Sequence, residues 1–493
     1  NSFNSENKIK FSEHHLSHAA SAFFPSPFEE AIILTLDGVG EWSTSTVCIG
    51  KKNKIEILNE INFPHSLGLL YSAFTYYLGF KINSGEYKVM GLAPYGKPKY
   101  KDIILNNLID VKQDGSFRLN MKYFNYTTGL TMTNQKFANL FDKERRDGEK
   151  DKLEQFHMDV ACSVQKVLEE IILKITKDIR SKYKIENICL AGGVALNCVA
   201  NGKIIENQIF KNIWIQPAAG DSGCSLGASL AFWYIEQKKN RIVNKEDNMK
   251  GSLLGPKFTN EEIKKYLDSS DIKYEYYDFN ELINLVANEL SKNKILGLFN
   301  GKMEFGPRAL GSRSIIADPR SKDMQKNLNL KIKYRESFRP FAPIILEEKL
   351  KEYFKLEQKS PYMLLVSEIK EELKIKMSDN EKELFGLDKL NIKRSIIPSV
   401  THVDYTSRIQ TVNQSNNFLY SLLKKFNEIT QCPVLINTSF NIRGEPIVCT
   451  PKDAYKCFMG TELDILVMEN FVIRKENQNK SIKDDYRSKF ELD

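Results

Sequence analysis

The chain has 493 residues, of which 42% are hydrophobic and 27% charged, a balance that excludes a disordered tail, a small disulfide scaffold and a fibrous repeat. This length predicts two or three globular domains. The net charge of +8 is too small to indicate nucleic acid by itself, but residues 302–339 carry ten basic against four acidic side chains, which favours an anionic ligand there.

Features of the whole chain predict a cytoplasmic protein with no membrane role. The eight cysteines are scattered without a C-x-x-C pair, a pattern typical of reduced core thiols. No apolar run approaches the roughly 20 residues that a membrane-spanning helix needs. The sequence starts without methionine and without a signal-peptide pattern, so we expect a processed chain or a fragment.

The first half of the chain reads as α/β units whose strands end at carboxylates or glycine turns. Strands are predicted at 31–36, 47–49, 55–57 and 188–191, and helices at 153–179 and in the small-residue stretch that ends at Ala231. Asp37 follows the first strand, and a glycine turn at 218–223 precedes the last helix. Loops at strand ends of this kind are where α/β proteins bind ligands.

A polar stretch without periodicity, residues 236–262, predicts a domain boundary. We therefore expect two domains, residues 1–245 and 255–480. In the second, helices are predicted at 261–267 and 282–290 and strands at 295–299, 434–436, 465–468 and 471–473. The fold class expected for both domains is α/β.

Two of the six histidines, His14 and His18, lie four residues apart and would share one face of a helix. This spacing allows both imidazoles to bind one metal ion. Asp37 and Asp221, at converging strand ends, would complete a donor set suited to iron, zinc or manganese. A helix start with surface histidines explains the same pattern about as well.

Several turns could hold a nucleotide or an acceptor. Backbone N–H groups of the glycine turns could approach a phosphate closely, although ordinary tight turns explain a lone glycine pair more often. Residues 83–88 place a carboxylate beside a cation, and a solvated loop is an equally good interpretation. The candidates are Gly192, Gly193, Asn197, Gly220, Ser222, Gly223, Glu86 and Lys88.

The basic segment gives a more specific signal. Arg308 and Arg313 lie between glycine and proline turns, and arginine forks bind phosphate oxygens bidentately. Further candidates are Lys333, Arg335, Arg339, Ser439, Asn441 and Arg443. A basic face for RNA is the alternative, but the interleaved glycine, proline and apolar residues favour a pocket for a small phosphorylated substrate or a triphosphate.

Taken together, the motifs resemble the NodU/CmcH family of O-carbamoyltransferases. Seven motifs occur in order across nearly the whole chain: 14–21 (HHLSHAAS), 36–41 (LDGVGE), 84–96 (SGEYKVMGLAPYG), 191–197 (AGGVALN), 305–314 (FGPRALGSRS), 338–343 (FRPFAP) and 437–441 (NTSFN). The resemblance implies an actin-like (ASKHA) transferase domain followed by a YrdC-like domain. The YrdC-like domain would form carbamoyl-adenylate from carbamoyl phosphate and ATP, and the other would transfer the carbamoyl group to a hydroxyl of a small secondary metabolite or glycan.

The resemblance also implies roles for the candidate residues. His14, His18, Asp37 and Asp221 would hold one divalent transition metal, iron or zinc, and ATP would enter with Mg²⁺. Catalysis is assigned to His14, Asp37 and Asp221, with His65 as a candidate general base. The glycine turns, Asn197, Glu86 and Lys88 would hold the adenylate. The basic segment with Ser439, Asn441 and Arg443 would hold carbamoyl phosphate and ATP.

Family members begin with a strand and a His-Asp-Ser-Ala-type loop, whereas this chain begins 13 residues before His14. We therefore expect the first subdomain of the transferase half to be missing. Acceptor specificity is expected in loops between residues 63 and 95, and a homodimer is the family expectation. The alternatives are a threonylcarbamoyl-type tRNA-modifying protein, against which the absence of a broad basic surface argues, and a non-catalytic nucleotide-binding remnant.

Overall fold

The computed structural model describes residues 9–479 and 486–490. The chain divides into two compact units, Asn1–Met249 and Lys250–Asp493. The domain limits proposed from the sequence, 1–245 and 255–480, lie on either side of this division, and residue 480 is outside the described residues. Each unit is α/β, which confirms the fold class.

The first unit contains eight helices and seven strands within its described part. The helices are α1 His14–Phe23, α2 Leu67–Tyr77, α3 Glu86–Leu92, α4 Lys101–Asn107, α5 Gln135–Asn139, α6 Gln155–Tyr183, α7 Cys198–Glu206 and α8 Ser222–Ala231. The strands are β1 Glu30–Gly40, β2 Ser43–Lys51, β3 Lys54–Asn62, β4 Ile109–Val111, β5 Phe117–Leu119, β6 Asn187–Ala191 and β7 Asn212–Ile215.

The main sheet of this unit has the order β3-β2-β1-β6-β7. The first three strands are antiparallel, while β1, β6 and β7 are parallel, with Leu34 opposite Leu190 and Leu190 opposite Ile215. Three antiparallel strands followed by two parallel ones are the arrangement of one half of an actin-like fold. The carboxyl ends of β1, β6 and β7 meet at one edge, where α/β sheets bind ligands.

The second unit contains seven helices and nine strands in its described part. The helices are α9 Asn260–Ser269, α10 Phe279–Ser291, α11 Met324–Asn327, α12 Leu350–Tyr353, α13 Asp379–Lys382, α14 Asn417–Thr430 and α15 Pro451–Met459. The strands are β8 Glu275–Tyr276, β9 Leu296–Phe299, β10 Arg313–Ala317, β11 Ala342–Leu346, β12 Leu365–Glu368, β13 Thr406–Val412, β14 Val434–Ser439, β15 Ile465–Met468 and β16 Phe471–Arg474.

These nine strands form one mixed sheet of order β12-β13-β11-β14-β10-β9-β15-β16-β8. Within the described part of this sheet, only β11 with β13 and β9 with β15 pair in parallel. Strand β10 starts where β14 ends, since Ser314 pairs with Ser439, and β11 also starts there, since Ala342 pairs with Asn437. The segments that precede β10 and β11 and the segment that follows β14 therefore share one edge of the sheet.

The structure differs from the sequence-based expectations in two places. Residues 63–95, expected to be specificity loops, are largely helical (α2 and α3), and the ring of Tyr77 is buried among Phe74, Phe137 and Phe141. Strands β4, β5, β7, β8 and β10 to β13 were not predicted; β10 begins inside a motif that reads as a loop.

All eight cysteines are free thiols, and six of them are buried. Among the described residues, no helix is both long and apolar enough to cross a membrane.

Candidate functional site

Helix α1 places His14 and His18 one turn apart on the same face, as their spacing predicts. Their rings meet edge to face with centroids 4.7 Å apart. The side chain of His18 is completely buried, whereas that of His14 is 21% exposed. One imidazole is therefore anchored in the core and the other faces the opening of the site.

The two aspartates complete the cluster from the ends of the parallel strands. Asp37, near the end of β1, places Oδ2 3.0 Å from Nε2 of His14 and 3.3 Å from Nε2 of His18. Asp221, in the turn between β7 and α8, places Oδ1 3.7 and 3.6 Å from the same nitrogens. The four ligand atoms lie within 4.8 Å of one another, and two imidazoles with two carboxylates are a donor set that fits a divalent transition metal.

Hydrogen bonds keep the carboxylate of Asp37, the central residue of this cluster, ionised. Burial would raise the pKa of Asp37, but hydrogen bonds from His14, His18 and the N–H of Gly193 outweigh it and hold that pKa well below its usual range. The hydrogen bond to Asp37 in turn raises the pKa of His14. Asp37 is therefore a permanent anion at the centre of the cluster, and Gly193 fixes its second oxygen.

A fifth residue of the cluster was not selected from the sequence. Cys224, in the first turn of α8, has its thiol within 4.8 Å of ring nitrogens of both His14 and His18. Burial and the neighbouring carboxylates raise the pKa of this thiol to about 12. Its position three residues after Asp221 on a helix was the available signal.

A cavity of about 690 Å³ opens beside Asp37 and Asp221. Its wall is mostly apolar, and its polar groups are few. Glu86 is held by Ser72, whose hydroxyl donates to Oε1 at 2.8 Å, and by the N–H of Asn83 at 3.1 Å. The remaining wall includes Leu69, Tyr71, Ile82, Tyr87, Met90, Met132, Leu168, Val194, Leu196 and Asn197. An apolar cavity with a fixed carboxylate suits a base with a hydroxylated sugar.

The residues predicted to hold a nucleotide divide into two groups. Glu86, Gly193, Asn197 and Gly220 line the cavity. Lys88, Gly192, Ser222 and Gly223 are not among its lining residues. Lys88 is 1% exposed with its ammonium over the ring of Phe80, so the predicted contact of this lysine with a nucleotide is not supported. Gly192 has a φ of +87° and lies against the Leu36 carbonyl, which gives it a role in the turn.

His65 does not occupy the position of a general base. Its Nδ1 accepts a hydrogen bond from the N–H of Leu119 at 3.2 Å, and it does not line the cavity. Burial and the charge of Arg118 lower its pKa. The sequence placed His65 in the segment expected to contact the acceptor, whereas in the structure its ring accepts from the backbone of β5.

In the second unit, the sheet edge described above collects most of the basic candidates. Lys333 is the best defined. Its buried ammonium donates to the carbonyl and hydroxyl oxygens of Ser439 at 2.8 and 3.2 Å, and to the carbonyl and side-chain oxygens of Asn441 at 2.7 and 2.5 Å. Burial, helped by Arg335 and Arg339, lowers the pKa of Lys333 well below its usual value.

Two further arginines flank one carboxylate at this edge. Glu336, which the sequence analysis did not select, lies 3.9 Å from Nη1 of Arg339 and 3.6 Å from Nη1 of Arg443. The backbone N–H of Arg443 also donates to the carbonyl of Lys333. Arg335 instead donates to Asn329 at 2.7 Å and stacks over the ring of Phe341. The edge therefore presents a cluster of cations with one internal acid.

Arg313 takes a different role from the predicted one. Its guanidinium is fully buried against the ring of Phe299, 3.6 Å from the centroid. It donates to backbone carbonyls of Pro256, Asn300, Gly301 and Ser312 at 3.1 to 3.2 Å. These bonds occupy the fork that was expected to bind phosphate, because Arg313 is the first residue of β10 and points into the sheet. Arg308, by contrast, is partly exposed on the preceding loop.

Comparison with known proteins agrees with the division of the chain into two units. Residues 3–230 match the model of the carbamoyltransferase N-terminus and residues 287–475 that of the carbamoyltransferase C-terminus. An uncharacterized protein of Synechocystis sp. is 58% identical over 98% of this chain and 79% of its own length. The nodulation protein NolO of Bradyrhizobium diazoefficiens is 34% identical over 94% of this chain and 78% of its own.

A solved structure, HypF of T. kodakarensis, matches 48% of this chain and 38% of its own at 17% identity. Its TM-score of 0.25 is too low to bear on the fold.

Proposed function

The chain belongs to the NodU-related carbamoyltransferase family and is a carbamoyltransferase, and we propose that it is an ATP-dependent O-carbamoyltransferase that works through carbamoyl-adenylate. The carbamoyl group would end on a hydroxyl of a small metabolite or glycan as a carbamate ester. The proposal assigns activation to the second unit and transfer to the first.

In the activation step, water displaces phosphate from carbamoyl phosphate, and an oxygen of the resulting carbamate attacks the α-phosphorus of ATP. The products are carbamoyl-adenylate, pyrophosphate and phosphate, so every phosphoryl group is accounted for. The proposal is supported by the sheet edge where the cationic side chains of Arg339 and Arg443 flank Glu336, beside the buried Lys333 that fixes Ser439 and Asn441. Such cations bind phosphate oxygens and stabilise the charge that grows on the leaving pyrophosphate, which enters as the magnesium complex of ATP.

In the transfer step, the acceptor oxygen attacks the carbamoyl carbon, AMP leaves with the bonding electrons and the hydroxyl proton is released. The cavity of the first unit would hold the adenylate, with apolar walls for the base and Glu86 to accept hydrogen bonds from ribose hydroxyls. A divalent metal held by His14, His18, Asp37 and Asp221 would supply Lewis-acid polarisation of the carbonyl. Without a metal, Oδ2 of Asp37 lies within hydrogen-bond distance of Nε2 of both histidines, so the donor atoms already face one another.

The observation that carries the proposal is the meeting of four metal-binding side chains with one cavity at the same edge of the sheet. Two of the four, Asp37 and Asp221, also line the cavity, so a molecule bound there contacts the cluster directly. A nucleotide-binding remnant would have no need of such a donor set.

The test is a pyrophosphate-release assay on the whole chain with ATP and Mg²⁺, with and without carbamoyl phosphate and in the absence of an acceptor. We expect release that depends on carbamoyl phosphate. Carbamate ester formation would then be sought with hydroxyl acceptors and carbon-14-labelled carbamoyl phosphate. A well-folded protein that releases no pyrophosphate would refute the activation step.

A further inference from the structure

The loop that carries Arg308, residues 305–312, is held at consecutive backbone groups by buried side chains. The loop lies between β9 and β10 at the cationic edge of the second sheet. Each hydrogen bond to the loop backbone described below comes from a side chain of the sheet or of the residue immediately before the loop. These side chains therefore hold the loop in its conformation.

Glu304 binds the loop from one side. Its carboxylate is 6% exposed, and Oε1 accepts hydrogen bonds from the N–H groups of Leu310 and Ser312 at 2.7 Å and of Arg313 at 3.3 Å. Converging N–H groups of a glycine-containing loop form the kind of nest that binds an external phosphate. Here an internal carboxylate fills the nest, so recognition of an external anion falls to the side chain of Arg308.

A pair of buried amides binds the other side of the loop. Gln410 on β13 donates to the carbonyl of Leu310 at 2.8 Å, and Asn437 on β14 donates to the carbonyl of Ala309 at 3.1 Å. Asn437 also donates to Oε1 of Gln410 at 2.7 Å. The two strands lie on opposite sides of β11, so this pair connects the loop to both neighbours of β11.

We propose that Glu304, Gln410 and Asn437, the loop scaffold, are positioning residues that hold the 305–312 loop so that Arg308 is presented to the phosphate of the activation step. The inference rests on the proposed function, because it takes Arg308 as an anion-binding residue. It adds three residues that do not touch the substrate and act through Arg308. A group held in place before binding loses less conformational entropy when the ligand arrives.

The first experiment measures loop order without any substrate. Amide hydrogen exchange is followed in peptides covering residues 305–314 in the full chain, for the unmodified protein, Glu304→Ala, Glu304→Gln and the control Thr411→Val. Thr411 is the next residue on β13, is buried, and accepts a hydrogen bond from Ser360, so its variant loses a buried bond elsewhere. We expect faster exchange in the loop for Glu304→Ala, near-normal exchange for Glu304→Gln and no change for Thr411→Val.

The second experiment is a double-mutant cycle with the initial rate of pyrophosphate release. We expect Glu304→Ala to raise KM for carbamoyl phosphate at least tenfold, whereas Glu304→Gln should have a KM close to that of the unmodified protein. The double variant Glu304→Ala/Arg308→Ala should release pyrophosphate no more slowly than Arg308→Ala alone. Gln410→Leu should also raise KM for carbamoyl phosphate, whereas Thr411→Val should not.

The proposed positioning role would be refuted if Glu304→Ala left amide exchange in the loop unchanged. It would also be refuted if the losses of activity in Glu304→Ala and Arg308→Ala added up in the double variant. A Glu304→Gln variant as impaired as Glu304→Ala would refute it too, because glutamine keeps an acceptor oxygen. Absence of pyrophosphate release by the unmodified protein would instead refute the proposed function, and the exchange experiment would still decide whether the scaffold orders the loop.

Discussion

Replacement of Gly227 by alanine should separate α1, which carries His14 and His18 of the proposed metal site, from α8, which follows Asp221. Helix α8 crosses α1 at this glycine, where an added Cβ would lie 1.8 Å from the carbonyl oxygen of Ser17 and 3.1 Å from Cβ of Ser21. Ser17 immediately precedes His18, and Asp221 immediately precedes α8. A side chain at position 227 therefore acts directly on the spacing between ligands from the two helices.

The size of the effect follows from contact distances. Non-bonded heavy atoms prefer separations of roughly 3.5–4.0 Å, so the helices must move apart by about 1.5–2 Å to admit the methyl group. Metal–ligand distances tolerate only about 0.2 Å, and overpacking in a close contact costs about 1–3 kcal/mol. Since every 1.4 kcal/mol is a factor of ten, we expect metal affinity to fall by about 10- to 100-fold.

The assay is titration of the metal-free full chain with zinc or iron(II) against a coloured chelator, together with thermal unfolding by calorimetry. Ser229→Ala is the matched control, because Ser229 lies on the exposed face of the same helix. It should leave metal affinity unchanged. A folded Gly227→Ala protein with normal metal affinity would refute the reasoning, and a parent protein that binds no metal would refute the metal site itself.

Three further predictions address other parts of the molecule. Arg308→Ala should lower pyrophosphate release that depends on carbamoyl phosphate by about 30-fold or more, a cost of about 2–5 kcal/mol, and unchanged release would place phosphate binding elsewhere. The His14→Ala variant should still release pyrophosphate but should no longer bind metal or form the carbamate ester. Loss of pyrophosphate release would contradict the assignment of activation to the second unit and transfer to the first. Burial lowers the pKa of Lys475 from 10.5 to about 8, so between these values the unfolded chain binds more protons and stability rises with pH. When the free energy of unfolding is measured in urea from pH 7.5 to 10.5, its increase should be up to about 3 kcal/mol smaller in Lys475→Met than in the unmodified protein. The same increase in both proteins would contradict this prediction.

The local elements of the site were predictable because they depend on neighbours in the sequence. The i, i+4 spacing of His14 and His18 is a helical spacing, and α1 spans both residues. The apolar run before Asp37 forms β1, and the run at 188–191 forms β6. Parallel pairing of these strands then brings Asp37 and the turn before Asp221 to one edge, as the α/β pattern predicted.

Elements that depend on distant contacts were not predictable in the same way. Strand β10 starts at Arg313, a charged residue in a motif rich in glycine and proline, and it forms because it is paired on both sides by β9 and β14. The thiol of Cys224 comes within 4.8 Å of ring nitrogens of His14 and His18 only because α1 and α8 pack together. His65 and Lys88 were selected for their chemistry, but their surroundings direct them to a backbone N–H and into the core.

The sequence by itself determined the family and the α/β class and supplied the candidate residues for metal and phosphate binding, because these follow from residue type, order and short spacing. Only the tertiary structure decided which of those residues act together. It brought His14, His18 and Asp221 together around Asp37, buried Arg313 among carbonyls and closed the Arg308 loop on Glu304. The physical reason is that burial and hydrogen-bond partners come from strands and helices far apart in the chain, and they decide whether a charged group binds a ligand or its own protein.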